Sequence, residues 1–528
     1  MTPRSQPPGH IAPAPSPASF KNAGEAPVLP PLIAALLDPA AYPHSAPTPR
    51  LIETHISWVI LAGDYAYKLK KPLNLGFLDF STLDKREHYC REEVRLNSRL
   101  APDIYLGVVP VAGTPPKMGG EGRVLEWAVK MRAFPADATL DREKEITAEQ
   151  IDAIADRIAR FHGEIVAAPA DSGFGLPDAV WAPVAENFRQ LRALLPAPDV
   201  LLNSLETWSL AVGQRLASHF TARRAAGFIR ECHGDLHLGN IAWVEDTPLI
   251  FDGIEFNPGL RTIDVMSEIA FLCMDLMHRG QTPLAWRFLN RYLEHTGDTA
   301  GLAALSYYLV YRALVRAKVS AIKASQAKGD LSEALSYLEL ARRITQSPPP
   351  ALLLMQGVSG SGKTWISQHL LERLGCIRLR SDVERKRLFG LPALADSRAL
   401  SEDIYSREAG ARTLARLLGL TETLFDGGFR VIVDATFIKR GWREPFQKLA
   451  EERGIPWWIA ALEAPSEVLR KRVVARQAGG HDASEAGPDV LEAQLAAVEA
   501  FNADEVPHVV PLNSVPLQAV SQIQALLP

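Results

Sequence analysis

ALLLMQ (351–356), GVSGSGKT (357–364) and WISQHLLERL (365–374) run without a break, and this stretch decides the fold of the last third of the chain. The first segment reads as a buried strand and the third as a helix. Between them the glycines let the backbone curl so that its N–H groups converge on one anion. The helix start adds a favourable field for that same anion. Gly357, Ser359, Gly360, Ser361, Gly362, Lys363 and Thr364 are therefore candidate nucleotide-binding residues. Lys363 can reach the outer phosphates, and Thr364 can ligate magnesium.

Outward from this loop the sequence alternates strand and helix. Strands are predicted at 351–356, 376–380, 430–434, 456–463 and 507–511, with helices in the gaps. That alternation implies right-handed crossovers and an α/β domain with a mostly parallel five-stranded sheet. RVIVDATF (430–437) places Asp434 at the carboxyl end of a strand, where ligands of open parallel sheets bind. Asp434 is a candidate magnesium-side carboxylate, or else a cap. RSDVERKRL (380–388) places Asp382 at another strand end, either to accept a hydroxyl proton or to cap the next helix. Arg380 beside it is a candidate grip for an anionic acceptor. Arg472 and Arg476, four apart in SEVLRKRVVARQ, share a helix face and can close over transferring phosphates, or form a solvated basic face. Together these residues resemble the small P-loop kinases: gluconate kinase, polynucleotide kinase, chloramphenicol phosphotransferase and zeta-type toxins. The resemblance covers about 350–528. It implies that Asp382 activates or positions the acceptor hydroxyl and that Arg472 and Arg476 belong to the lid.

The second strong signal is HGDLHLGNI (233–241) followed by LIFDGIEFN (249–257). Phosphoryl transfer needs a carboxylate near the acceptor hydroxyl and oxygen ligands for magnesium. Asp235 supplies the first, Asn240 and Asp252 the second, and His233 braces the loop. Glu255 is either a further metal-side acid or a solvated residue. The pattern resembles the aminoglycoside phosphotransferase family, whose fold is that of the protein kinases, over about 50–340. The resemblance assigns Asp235 as catalytic aspartate and Asn240 and Asp252 as magnesium ligands. It also implies an ATP-anchoring lysine paired with a glutamate on the next helix. THISWVILAGDYAYKLKKP (54–72) reads as a hairpin turning at Gly63-Asp64, with Lys68 and Lys70 on one strand face and Lys71 opposite. Lys68 is favoured over Lys70, and Glu93 over Glu92. No G-x-G-x-x-G loop is present, so the LAGDYAY turn would have to cover the phosphates. In YYLVYRALVRAKVSA (307–321), Arg312 and Arg316 share a helix face. They either favour an anionic acceptor or pair internally with acids such as Asp264 and Glu268, and the second reading is preferred.

The rest of the sequence sets bounds. A chain of 528 residues exceeds one compact core. Residues 1–28, rich in Pro, Ala and Ser, read as a disordered tail. A two-lobe α+β kinase-like domain follows over 29–344, then a proline-rich linker at 345–350 and the P-loop domain at 351–528. A net charge of -4 disfavours a nucleic-acid binder. Cys90, Cys232, Cys273 and Cys376 are widely spaced and read as buried thiols. Without a membrane-length apolar run or a signal-like leader, a cytoplasmic protein is expected. The domain order resembles bacterial bifunctional aminoglycoside phosphotransferase/ATP-binding proteins. The expectation is a kinase with ATP and Mg2+ as cofactors and small-molecule phosphate acceptors as partners. Neither membrane nor nucleic-acid partners are expected.

Overall fold

In a computed structural model the described residues are 29–527, apart from 75, 77, 136, 197–199, 328, 394, 398–403, 480–483 and 513–514. The reading of 1–28 as disordered lies outside them. The described chain packs as two compact units. One runs to residue 135 and adds Phe251–Pro258; the other comprises Asp137–Ile250 and everything from Gly259 onward.

The first unit opens with helix α1 (Pro31–Ala35). It then builds an antiparallel sheet from β1 (Arg50–Glu53), β2 (Ser57–Ala62), β3 (Tyr65–Lys70), β4 (Tyr105–Ala112), β5 (Lys117–Met118) and β6 (Val124–Arg132), in the order β1-β2-β3-β6-β4-β5. The β2–β3 hairpin turns at Gly63-Asp64, pairing Ala62 with Tyr65. Gly63 adopts φ 60°, and a side chain there would strike the Ser45 carbonyl, so the turn lies against the segment before β1. Helix α2 (Leu83–Asn97) begins at Thr82, whose hydroxyl accepts from the Lys85 N–H.

The second unit starts mostly helical: α3 (Ala148–Glu164), α4 (Pro177–Leu194), α5 (Val200–Arg215) and α6 (Ala217–Ala225). Short strands β7 (Ile229–Glu231), β8 (Ile241–Val244) and β9 (Thr247–Ile250) frame the loop 232–240. After α7 (Pro258–Arg261) and β10 (Thr262–Asp264), which pairs with β7, come α8 (Val265–His278), α9 (Thr282–Thr296), α10 (Leu305–Ala327) and α11 (Ser332–Thr345). Asp264 caps α8 by accepting from the Met266 N–H.

The same unit continues into β11 (Ala351–Gln356), α12 (Lys363–Leu374), β12 (Cys376–Arg380), α13 (Ser381–Leu388), α14 (Arg407–Asp426), β13 (Arg430–Asp434), α15 (Arg440–Glu452), β14 (Trp457–Leu462), α16 (Ser466–Gly479), α17 (Pro488–Ala496), β15 (Val509–Leu512) and α18 (Pro516–Gln524). The sheet order is β12-β13-β11-β14-β15 and every pairing is parallel. Central β11 is buried along its whole length, as an apolar strand covered on both faces must be. The four cysteines are buried free thiols. Among the described residues no helix is long and apolar enough to cross a membrane.

Candidate functional site

The loop after β11 is shaped by backbone that only glycine adopts easily. Gly360 and Gly362 have φ 82° and 98°, and a side chain on Gly357 would meet the Leu462 carbonyl and the Ser361 hydroxyl at 2.7 Å. Gly362 is the N-cap of α12, so Lys363 and Thr364 open the helix. Lys363 Nζ donates back to the carbonyls of Gly357 (2.7 Å) and Val358 (3.0 Å). The Ser359 N–H donates to Gln494 Oε1 at 2.7 Å. Ser361 Oγ is buried with no hydrogen-bond partner, an orphan donor inside the cradle that a phosphate oxygen would satisfy.

Asp434 ends β13, is 5% exposed, and accepts from Ser367 Oγ at 3.1 Å. Thr364 on α12 and Asp434 at the end of β13, the strand paired with β11, thus offer an alcohol and a carboxylate of the kind magnesium takes. Arg472 is exposed and donates to the Gly360 carbonyl at 3.2 Å; Arg476 donates to the Ala486 carbonyl at 2.8 Å. Asp382 lies inside α13 and accepts from Arg385 at 2.8 Å. Its reading as a helix cap is corrected: Arg380 holds the N-cap position and no side chain caps that end. Arg380 itself approaches Glu294, with 3.6 Å between the charged atoms.

Elsewhere in the second unit, the loop between β7 and β8 is tied down from behind. Glu268, fully buried in α8, accepts the His233 and Gly234 N–H groups, both at 2.7 Å. Two helical turns later Asp275 accepts the Leu238 N–H at 3.0 Å. Arg312 donates to the Gly234 and Ser267 carbonyls, each at 3.1 Å. The expected ion pairs of Arg312 and Arg316 with Asp264 and Glu268 are a correction, because Asp264 is taken by Arg223 at 2.6 Å and Glu268 by the loop amides. Arg316 instead donates to Tyr337 Oη (3.4 Å) and approaches His237 Nε2 (3.5 Å).

On the front of this loop, Asn240 Nδ2 donates to the Asp235 carbonyl and carboxylate at 3.0 and 3.1 Å. That leaves the Asn240 side-chain oxygen for a metal. His237 Nε2 lies 3.4 Å from the Asp235 carboxylate. Burial pushes the Asp235 carboxyl up, but His237, His233 and Arg316 outweigh it and hold it well below the usual carboxylate range. A carboxylate ionised at neutral pH can accept a hydrogen bond from an alcohol and orient it.

The first unit holds a separate charged cluster. Lys68 Nζ lies 2.8 Å from Glu93 and 2.5 Å from Asp252; Lys70 Nζ lies 2.7 Å from the other Glu93 oxygen and pairs with Glu255. Burial favours neutral lysines here, yet the carboxylates prevail and raise both lysine pKa values. Burial likewise pushes Glu93 up, while Lys68 and Lys70 bring it down to about 2. Asp252 takes φ 64°, the left-handed region that a non-glycine residue enters only when its surroundings hold it there. Those surroundings are Tyr105 Oη, which accepts the Asp252 N–H (3.1 Å), and Asn97 Oδ1, which accepts the Gly253 N–H (2.7 Å). Glu92 turns outward onto Arg95. The alternative of a solvated Glu255 is corrected: it is 4% exposed and bound to Lys70.

Sequence reasoning named Glu268 only as an ion-pair partner for Arg312 and Arg316, and did not single out Asp275, Asn97 or Gln494. The two acids of α8 carried a signal. They stand seven apart, two turns on one face, in VMSEIAFLCMDLMH, where an unpaired buried carboxylate would be prohibitive.

Residues 87–305 match the phosphotransferase enzyme family, and residues 352–501 match an AAA domain family. Fold and motifs thus define a kinase with an aminoglycoside-phosphotransferase-like domain followed by a P-loop kinase domain. The uncharacterized protein Rv2004c of Mycobacterium tuberculosis is 32% identical over 452 residues, covering 82% of this chain and 87% of that protein. The chain belongs to the two-domain family that this mycobacterial protein represents. Among solved structures, a sugar kinase from Janibacter sp. is 23% identical, covering 34% of this chain and 94% of its own, with a TM-score of 0.26. An aminoglycoside 2'-phosphotransferase IIIa variant is 16% identical, covering 57% of this chain and 94% of its own, with a TM-score of 0.38.

Proposed function

We propose that the chain carries two ATP- and Mg2+-dependent phosphoryl-transfer activities directed at hydroxyl groups of small molecules. The observation that carries this reading is that each phosphate-handling motif has its own dedicated support. The GVSGSGKT loop has the buried Asp434 and the orphaned Ser361 hydroxyl; the HGDLHLGN loop has Glu268 and Asp275 on its backbone amides.

In the P-loop domain, Gly357 to Thr364 would bind the nucleotide phosphates, Thr364 and Asp434 would hold magnesium, and Asp382 would face the acceptor. Lys363 would exchange its two carbonyl partners for phosphate oxygens. Arg472 and Arg476, now resting on carbonyls, would supply positive charge to the transferring group. In the phosphotransferase-family domain, Asp235 is the acceptor-side carboxylate. In the second unit Asn240 would offer magnesium an oxygen; in the first unit Asp252 would offer a carboxylate, and Lys68 with Glu93 would anchor the nucleotide. Magnesium, when bound, would neutralise phosphate charge as it develops. Each residue set works by positioning and charge compensation rather than by a covalent intermediate.

A second reading is one kinase activity regulated by nucleotide at the P-loop. It is favoured by the contacts between α9 and β12 described below. The test is a screen of hydroxyl-bearing metabolites with labelled ATP on the full chain, Asp235→Ala and Lys363→Ala. Two independent activities require that each variant lose a different transfer. Loss of the Asp235-dependent transfer in Lys363→Ala supports the regulatory reading. Transfer that neither variant affects overturns both.

A further inference from the structure

Helix α9 belongs to the phosphotransferase-family domain, yet one face of it is spent on the P-loop domain. Asn290 treats edge strand β12 as a neighbouring strand would. Its Nδ2 donates to the Cys376 carbonyl (3.0 Å) and its Oδ1 accepts the Arg378 N–H (2.8 Å). One turn on, Glu294 Oε1 accepts from Arg378 Nη2 at 2.8 Å. The other arm of that guanidinium, Nη1, donates to Ser367 Oγ (3.2 Å) and to the Thr364 carbonyl (3.3 Å). Ser367 Oγ in turn donates to Asp434 at 3.1 Å. A continuous polar chain therefore runs from a carboxylate on α9 to the two candidate magnesium ligands.

The electrostatics give this chain a purpose. Arg378 is 8% exposed and stands one hydroxyl away from Asp434. A buried guanidinium without a counter-charge would compete with magnesium for that carboxylate. Glu294 supplies the counter-charge and holds the fork in the orientation that presents Nη1 to Ser367. Arg387, from α13, donates to the Glu294 carbonyl at 2.6 Å and so fixes the end of α9 on the same side.

We propose that Glu294 is a positioning residue for the magnesium end of the P-loop site, which is therefore complete only when α9 is seated on β12. This rests on the reading of that loop as a magnesium-nucleotide site. Partners one shell beyond the metal ligands typically change metal affinity about 10- to 100-fold when removed.

The test measures Mn2+ binding to the full chain by electron paramagnetic resonance, with a non-hydrolysable ATP analogue present. It reads the fraction of binding that Lys363→Ala abolishes. Glu294→Gln raises the Mn2+ Kd of that fraction about tenfold or more. Glu372→Gln, which breaks the 2.8 Å Arg287 ion pair across the same contact but stands outside the chain to Asp434, leaves it unchanged. Glu294→Gln combined with Arg378→Met is no weaker than Glu294→Gln alone, because the uncompensated cation has gone as well. Should Glu294→Gln not fold, Arg378→Lys, too short-armed to span Glu294 and Ser367 together, weakens Mn2+ in its place. Wild-type affinity in Glu294→Gln, an equal loss in Glu372→Gln, or additive losses in the double variant would each overturn the proposal. Absence of any Lys363-dependent Mn2+ binding in the wild type would instead overturn the nucleotide-site reading and leave the Glu294 contacts as plain architecture.

Discussion

Replacing Glu268 by glutamine is a change of one atom, and the structure says it should be severe. The two carboxylate oxygens each take one loop amide at 2.7 Å, in a site with no solvent exposure. Glutamine keeps one oxygen but points an NH2 group at the second amide, donor against donor. One charge-assisted bond is lost, at roughly 1.5–3 kcal/mol, and a buried N–H is left unmet, at about 1–3 kcal/mol more. The surviving bond also becomes a neutral one. Together that is about 3–5 kcal/mol, a large part of the roughly 5–15 kcal/mol that stabilises a typical domain. The loop can relieve the clash by opening without global unfolding, so a single melting temperature would blur the effect. Amide hydrogen exchange of peptides spanning 229–244 reads it directly. The opening free energy there should fall by about 3–5 kcal/mol, and Asp235-dependent transfer should be lost with it. Exchange changed by less than about 1 kcal/mol, with transfer retained, would refute the view that Glu268 sets the loop.

Three further outcomes follow from the same geometry. Gly357→Ala places a methyl 2.7 Å from the Leu462 carbonyl at φ 151°, which should cost about 1–3 kcal/mol in denaturant unfolding and remove the thermal shift given by ATP. Lys70→Met leaves the buried Glu255 carboxylate without its main partner and should cost about 3–5 kcal/mol, whereas adding Glu255→Gln should restore part of the loss in a double-mutant cycle. Burial opposes ionisation of Glu294, but Arg378 and Arg380 lower its pKa from 4.5 to about 2. Because the folded value is the depressed one, this stabilisation is present above about pH 4.5 and is lost as pH falls toward 2. The stability gap between wild type and Glu294→Gln, about 3 kcal/mol at pH 7, should therefore close through that window in urea titrations.

What was legible in the sequence was whatever local pattern decides. The strands of the last domain were predicted to within a residue or two, because each is an apolar run bounded by loop or helix signals. The loop glycines declare themselves for the same reason: a backbone constraint acts on the residue that carries it. The lysine pair shows where this stops. A strand's period of two puts Lys68 and Lys70 on one face, and nothing local says which of them meets Asp252 and which Glu255. Those acids lie about 185 residues away. The cap reading of Asp382 fails differently, since a helix start two residues earlier than a capping aspartate would require turns a cap into a first-turn acid. Asn290 and Glu294 were invisible altogether. They are polar residues at helical spacing in α9, and only the tertiary structure shows that face pressed onto a strand edge.

That contact bears on whether the P-loop domain is a passenger. Partly exposed ion pairs such as Arg287 with Glu372 are worth little by themselves, so they would not hold two domains together. Trp286 can. It packs against the cluster that includes Leu371, Leu374 and Ile523, in the core of the P-loop domain itself. A side chain at position 375 would meet its indole at 3.0 Å, so Gly375 is the residue that admits it. Burial of a large ring provides the adhesion. Asn290 provides the register, because its two bonds fit only one alignment along β12, and they also cover a strand edge that would otherwise be open to other chains. Once that register is set, Glu294 lies with one oxygen on Arg378 and the other toward Arg380. The adhesive residue and the instructive residue are thus different side chains two turns apart on one helix. Loss of Trp286 should therefore loosen α9 from the P-loop domain, whereas loss of Glu294 should leave the contact in place and disturb only what lies beyond Arg378.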